Sequence, residues 1–176
     1  MTVYLNGSFL PIDQAAVSVM DRGFLFGDGA YEVVPVYSRR PFRLSQHLLR
    51  LQRTLDGLRL TNPHPDSEWT RLVREVIARN EPEDQSIYIQ VTRGTDLAKR
   101  NHAFPVGVAP TVFVMSEPLV TPPAEQREKG VCAVSAADFR WLRCDLKTVS
   151  LLGNCLLRQL AIDAGCGETL LFRDGF

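Results

Sequence analysis

Between Leu44 and Thr92 the chain reads LSQHLLRLQRTLDGLRLTNPHPDSEWTRLVREVIARNEPEDQSIYIQVT, and the fold class turns on this stretch. Leu44, Leu48, Leu51, Leu55 and Leu58 recur at helical spacing, and Ser45 is a candidate cap for a helix over roughly 45–59. Trp69, Leu72, Val73, Val76 and Ile77 repeat the pattern behind Asp66, a second capping candidate, for a helix over roughly 66–79. The period then changes. Ile87, Ile89 and Val91 alternate with Tyr88, Gln90 and Thr92, which is the two-residue period of a strand with one buried face. Two helices with one apolar stripe each need an apolar surface to cover. The expectation is therefore α+β, an N-terminal sheet covered on one face by two helices.

Upstream, Thr2 to Leu5 alternates, meets Asn6-Gly7 and resumes at Ser8 to Leu10, the pattern of a tight hairpin. Asp21 to Gly29 packs three glycines among aromatic residues, which suits a backbone that approaches something closely. A strand over Tyr31 to Tyr37 follows. Downstream, Thr111 to Met115 is mostly apolar and is expected to be a central strand. Glu117 to Gly130 holds three prolines without an apolar period, so the boundaries are set at 1–118 for an N-terminal domain, 119–130 for a linker and 131–176 for the first part of a second, α/β domain. The second part carries a strand at Val131 to Ser135, a helix from Ser150 to Ala164 and a strand at Thr169 to Phe172. Asp174-Gly175 is a further hairpin signal with no returning strand, so the chain is expected to be C-terminally truncated.

Lys+Arg and Asp+Glu number 20 each and no basic run occurs, so nothing electrostatic recruits nucleic acid or an anionic membrane. No apolar run approaches the roughly 20 residues of a membrane span and the N-terminus lacks a leader pattern, which places the chain in the cytoplasm with small-molecule partners. Cys132, Cys144, Cys155 and Cys166 show no metal-binding spacing and read as reduced thiols; no metal is expected.

Lys147 lies between Leu146 and Val149 in Arg140-Trp141-Leu142-Arg143-Cys144-Asp145-Leu146-Lys147-Thr148. A partly desolvated lysine loses proton affinity, so its neutral amine can form a Schiff base with an aldehyde and later act as a base. From physics alone, a lysine beside a strand is more often a solvated edge residue. Residues 140–148 followed by Leu151-Leu152-Gly153, however, resemble the lysine motif of the fold-type IV pyridoxal-phosphate-dependent aminotransferases, which include D-amino-acid and branched-chain transaminases. Three other segments match in order. These are Asp21-Arg22-Gly23 through Gly27-Asp28-Gly29 to Tyr31-Glu32, then His47-Leu48-Leu49-Arg50-Leu51, then Ile89-Gln90-Val91-Thr92-Arg93-Gly94.

The resemblance implies pyridoxal 5'-phosphate as cofactor, carried by Lys147 as catalytic residue, with its phosphate on Arg50 and His47 as a neighbour of that site. It implies that Tyr31, Arg100 and His102 hold the substrate carboxylate, the last two from the partner subunit of a homodimer. Arg100 and His102, two residues apart in one loop, point to the D-specific branch and to transamination between a D-amino acid, such as D-alanine or D-glutamate, and a 2-oxo acid. A branched-chain aminotransferase and an aminodeoxychorismate lyase are the alternatives within the family, and a noncatalytic dimerisation or binding module the alternative outside it. The family's glutamate at the pyridine nitrogen is expected beyond Phe176.

Overall fold

The structure, a computed structural model, describes residues 1–175. It divides into two compact units, Met1–Leu119 with Asp145–Val149, and Val120–Cys144 with the residues from Ser150 onward.

The first unit is built on a six-stranded sheet of β1 (Thr2–Leu5), β2 (Ser8–Pro11), β3 (Gly29–Tyr37), β4 (Arg40–Pro41), β5 (Gln85–Thr92) and β6 (Thr111–Pro118). The order is β2-β1-β6-β5-β3-β4, and every neighbouring pair is antiparallel. The first turn forms as its sequence requires. Asn6 and Gly7 both take positive φ, 47° and 98°, which matches the twist of a two-residue hairpin and pairs Leu5 with Ser8. A short helix α1 (Arg22–Phe26) precedes β3, and α2 (Leu44–Gly57) and α3 (Asp66–Ala78) lie between β4 and β5.

One face of the sheet meets the two long helices. Ala30, Val34 and Val36 of β3, Ile87, Ile89 and Val91 of β5, and Val112 and Val114 of β6 form one core with Leu48, Leu51 and Leu55 of α2 and Trp69, Leu72, Val73, Val76 and Ile77 of α3. Leu44 and Leu58 pack at its margin. Each fully buried side chain of this size contributes about 1.5–3 kcal/mol, so both helical stripes are committed to the sheet. The central position of β6, between β1 and β5, explains its mostly apolar sequence.

Both helices start within a residue of the expected position, but neither is capped by the expected side chain. Helix α2 begins at Leu44, so Ser45 lies inside its first turn and its hydroxyl bonds the Gln46 side chain instead of the helix end. Helix α3 does begin at Asp66, but Pro65 is the capping residue; Asp66 acts by its charge in the first turn, favourable to the helix dipole.

The second unit contains α4 (Ala124–Lys129), β7 (Ala133–Ala137), α5 (Leu152–Asp163) and β8 (Glu168–Phe172). Strands β7 and β8 pair in parallel, with α5 between them in sequence. The stretch expected to be a plain linker thus carries a helical turn and a half. Cys132 and Cys166, read from sequence as reduced, are joined as a disulfide. Parallel pairing of Ala133 with Glu168 brings the strand entrances together, which spacing along the chain does not reveal. Cys144 and Cys155 are free thiols. Asp174 and Gly175 both have positive φ, 52° and 85°, in keeping with the turn signal; Phe176 lies outside the described residues. No helix among the described residues is long and apolar enough to cross a membrane.

Candidate functional site

Lys147 is built onto the sheet of the first unit. Ala30 and Thr148 form an antiparallel bridge, the Tyr31 N–H donates to the Lys147 carbonyl at 3.0 Å, and the Val149 N–H donates to Gly29 at 3.0 Å. Lys147 and Tyr31 therefore stand opposite each other and share a sheet face. Lys147 Nζ lies 3.7 Å from the centroid of the Tyr31 ring, and Tyr31 stacks on Tyr88 at 5.6 Å. Burial and the neighbouring Tyr31 push the Tyr88 hydroxyl up to about 12, so it stays protonated and donates to Gln90 at 2.6 Å. On the helix side, the Lys147 N–H is 3.4 Å from the buried Thr54 hydroxyl of α2, and Leu146 packs against Gly57, where a Cβ would collide with it. These contacts explain why residues 145–149 group with the first unit, although the chain around them belongs to the second.

Arg50 lies one helical turn before Thr54 on α2. Its guanidinium donates through Nε and Nη2 to the two carboxylate oxygens of Glu32, at 2.5 and 2.7 Å. His47 Nδ1 reaches the same carboxylate at 2.9 Å. Glu32 alternates with Tyr31 on β3 and so faces the helices, where its side chain is 0% exposed, whereas Arg50 remains 53% exposed. The hydrogen bonds to Glu32 raise the Arg50 pKa further, and Nη1 has no partner among the described residues. Lys147 and Arg50 are joined by two short routes, through Tyr31 and Glu32 on β3 and through Thr54 on α2. A neutral amine is a group that can condense with an aldehyde, and a guanidinium edge with an open donor is a group that can hold a phosphate.

Arg100 and His102 both lie against Phe26 at the end of α1. The Arg100 guanidinium lies 4.7 Å from the Phe26 ring centroid and the His102 ring 5.2 Å from it. Their loop is held by Arg22, buried at the start of α1, which donates to the carbonyls of Asn101, His102 and Ala103. Arg22 also pairs with Asp28 at 2.8 Å, and Arg93 clamps the same carboxylate while donating to the carbonyls of Leu58 and Arg59. Burial works against the charge on Asp28, but the bonds from Arg93 and Arg22 prevail and hold its carboxyl below the ordinary range. Asp21 is likewise buried, accepting from the Gly23 N–H and from the hydroxyls of Thr92 and Thr111. The glycine-rich stretch thus approaches the chain's own strand: a Cβ on Gly29 would lie 2.7 Å from the Val91 carbonyl. A cavity of about 410 Å3 opens nearby between Phe24, Leu5, Phe113 and Val149.

Two residues escaped the sequence reading in their roles, Glu32 and Arg22. The signal for Glu32 was present, since it falls on the inward parity of a strand whose other inward residues, Ala30, Val34 and Val36, are apolar. Nothing local marks Arg22, because apart from Asp28 its side-chain partners come from residues far along the chain.

The sequence pattern of the class IV amino-transferases matches residues 29–175. D-alanine aminotransferase of Bacillus licheniformis is 37% identical over 99% of this chain and 61% of its own length, and that of Staphylococcus haemolyticus 36% identical over 97% and 60%. This chain therefore spans about three-fifths of the length of these relatives. Among solved structures, the branched-chain amino acid aminotransferase of Escherichia coli superposes with a TM-score of 0.86 at 21% identity, over 98% of this chain and 60% of that one. The PLP-bound form of a hypothetical aminotransferase from Mycobacterium tuberculosis superposes with a TM-score of 0.76 at 24% identity, over 97% and 61%.

Proposed function

The chain belongs to the class IV aminotransferase family, and from that premise we propose that it supplies the lysine-bearing part of an enzyme that moves an amino group between a D-amino acid, such as D-alanine or D-glutamate, and a 2-oxo acid, with pyridoxal 5'-phosphate on Lys147. The observation that carries this reading is the Lys147 amine, 3.7 Å from the Tyr31 ring on a segment hydrogen-bonded to β3. The D-specific branch is favoured over the branched-chain one because the D-alanine enzymes are 36–37% identical to the chain, whereas the branched-chain likeness at 21% speaks for the fold alone.

When bound, the cofactor supplies the electron sink that makes the α-proton of an amino acid removable. The protein's part is to bind, orient and move protons. Lys147 Nζ would hold the cofactor and, once freed, would accept the α-proton, which requires its main chain to stay fixed while the side chain moves; the bonds of Lys147 to Tyr31 and Thr54 and of Val149 to Gly29 provide that fixity. Arg50 holds the phosphate by its open guanidinium edge. Tyr31, Arg100 and His102 hold the substrate carboxylate, with Arg100 and His102 serving the site of a second copy in a homodimer. A cytoplasmic setting completes the reading.

The test is covalent capture. Borohydride treatment of the chain with pyridoxal 5'-phosphate should leave one label, on the peptide that contains Lys147, and Lys147→Ala should abolish it. Labels spread over surface lysines, unchanged by that substitution, would refute the assignment.

A further inference from the structure

Glu32 is a carboxylate with no exposed surface, set among Ala30, Val34 and Val36 on the face of β3 that meets the helices. Such a group is costly to bury and survives only with partners that satisfy both oxygens. Its partners are the two functional-looking side chains of α2, Arg50 and His47, which lie three residues apart and both reach the surface. The pairing is oriented. Glu32 engages Nε and Nη2 of Arg50 and leaves Nη1 as the donor that faces away from the carboxylate. An ionised carboxylate only accepts, so it also places a proton on His47 Nδ1 and fixes that ring's tautomer. An arginine on a solvated helix, without this clamp, would sample many rotamers, and an anion would have to order it on binding.

We propose that Glu32 is the positioning residue of the phosphate seat: it pre-orients the Arg50 guanidinium, with His47 beside it, so that the open edge receives the phosphate of the cofactor without loss of side-chain freedom at that moment. The inference rests on the proposed function, through the assignment of the phosphate to Arg50. It does not place Glu32 in contact with the cofactor. Arg50 works here as a planar fork, two of whose nitrogens are used by Glu32 so that the third is aimed, and a lysine cannot reproduce that arrangement.

The experiment compares two aldehydes that differ only in the phosphate, pyridoxal and pyridoxal 5'-phosphate, by the extent of borohydride-trapped label on Lys147 at varied concentration. The readout is the preference for the phosphorylated aldehyde over the other, which a general loss of stability would lower for both and so leave unmoved. Arg50→Ala sets the baseline without a phosphate seat. Glu32→Gln should lower the preference about ten-fold or more towards that baseline, in line with the loss of one well-aimed charge-assisted bond, and Glu32→Asp should restore part of it. Should Glu32→Gln fold poorly, Arg50→Lys serves in its place: it retains the charge but cannot be aligned, and should fall close to Arg50→Ala. A Glu32→Gln preference equal to wild type while Arg50→Ala collapses would overturn the positioning role. A wild-type preference of unity with Lys147 still labelled would overturn the phosphate seat, and no label on Lys147 from either aldehyde would instead overturn the functional reading beneath it.

Discussion

Asp28 shows how much of this site is held by single residues that do no chemistry. It accepts from Arg22 and Arg93, two buried arginines that in turn hold the loop of Arg100 and His102 and the end of α2. Asp28→Asn would leave two buried cations with a neutral partner, a change that costs about 3–5 kcal/mol where a buried pair is broken. We expect a loss of stability of that order at neutral pH, measured by guanidinium unfolding. The pH dependence has a definite sign. The folded-state pKa of Asp28 lies below its unfolded value, so its contribution is fully present above the unfolded pKa, about 4, and disappears as pH falls through the folded value. The difference between wild type and Asp28→Asn should therefore narrow as pH drops below about 4. A difference that does not change with pH would show that the pair is not what Asp28 contributes.

At the scale of elements, the join between β3 and the lysine segment matters most. Gly29 pairs with Thr92 on one side and accepts from the Val149 N–H on the other, and a Cβ there would press on the Val91 carbonyl at 2.7 Å. Backbone cannot give way as a side-chain tip can. Gly29→Ala should cost about 1–3 kcal/mol, the range of overpacking in a tight site, and should slow trapping of an aldehyde on Lys147 because the segment opposite Tyr31 shifts. Wild-type stability and trapping in this variant would show that the ladder absorbs the methyl group. Legibility from sequence differed sharply between elements. The stripes of α2 and α3 and the alternation of β5 were all found on the core, because a buried face imposes its period on the chain itself. The capping residues were not, since capping depends on which backbone conformation the preceding loop permits; Arg43 and Pro65 occupy the capping positions without any side-chain bond.

Over the whole molecule the two units are unequally endowed. The first holds the continuous core between sheet and helices, whereas in the second only Leu157 and Ala161 are buried apolar residues among those described. Along α5, Leu152, Leu156 and Leu160 are exposed, and the two-stranded sheet of this unit buries little apolar surface. Hydrogen exchange followed by mass spectrometry should find the slowest amides in β5 and β6 and exchange at least ten-fold faster throughout β7, α5 and β8. Uniform protection across both units would contradict this ranking. Sequence by itself determined the class of fold, the sheet-facing helices, the first hairpin and the family, through Lys147 and the motifs around it, because periodicity, turn chemistry and motif spacing are local properties of a chain. Only the tertiary structure decided that Lys147 is built onto the sheet of the first unit, that Glu32 holds Arg50 and His47, that Arg22 holds the loop of Arg100 and His102, and that Cys132 meets Cys166. Each of these joins residues at least 15 positions apart, and 80 apart for Arg22 and His102, and the energy that selects such a contact comes from burial and pairing in the folded state, which no single stretch of sequence contains.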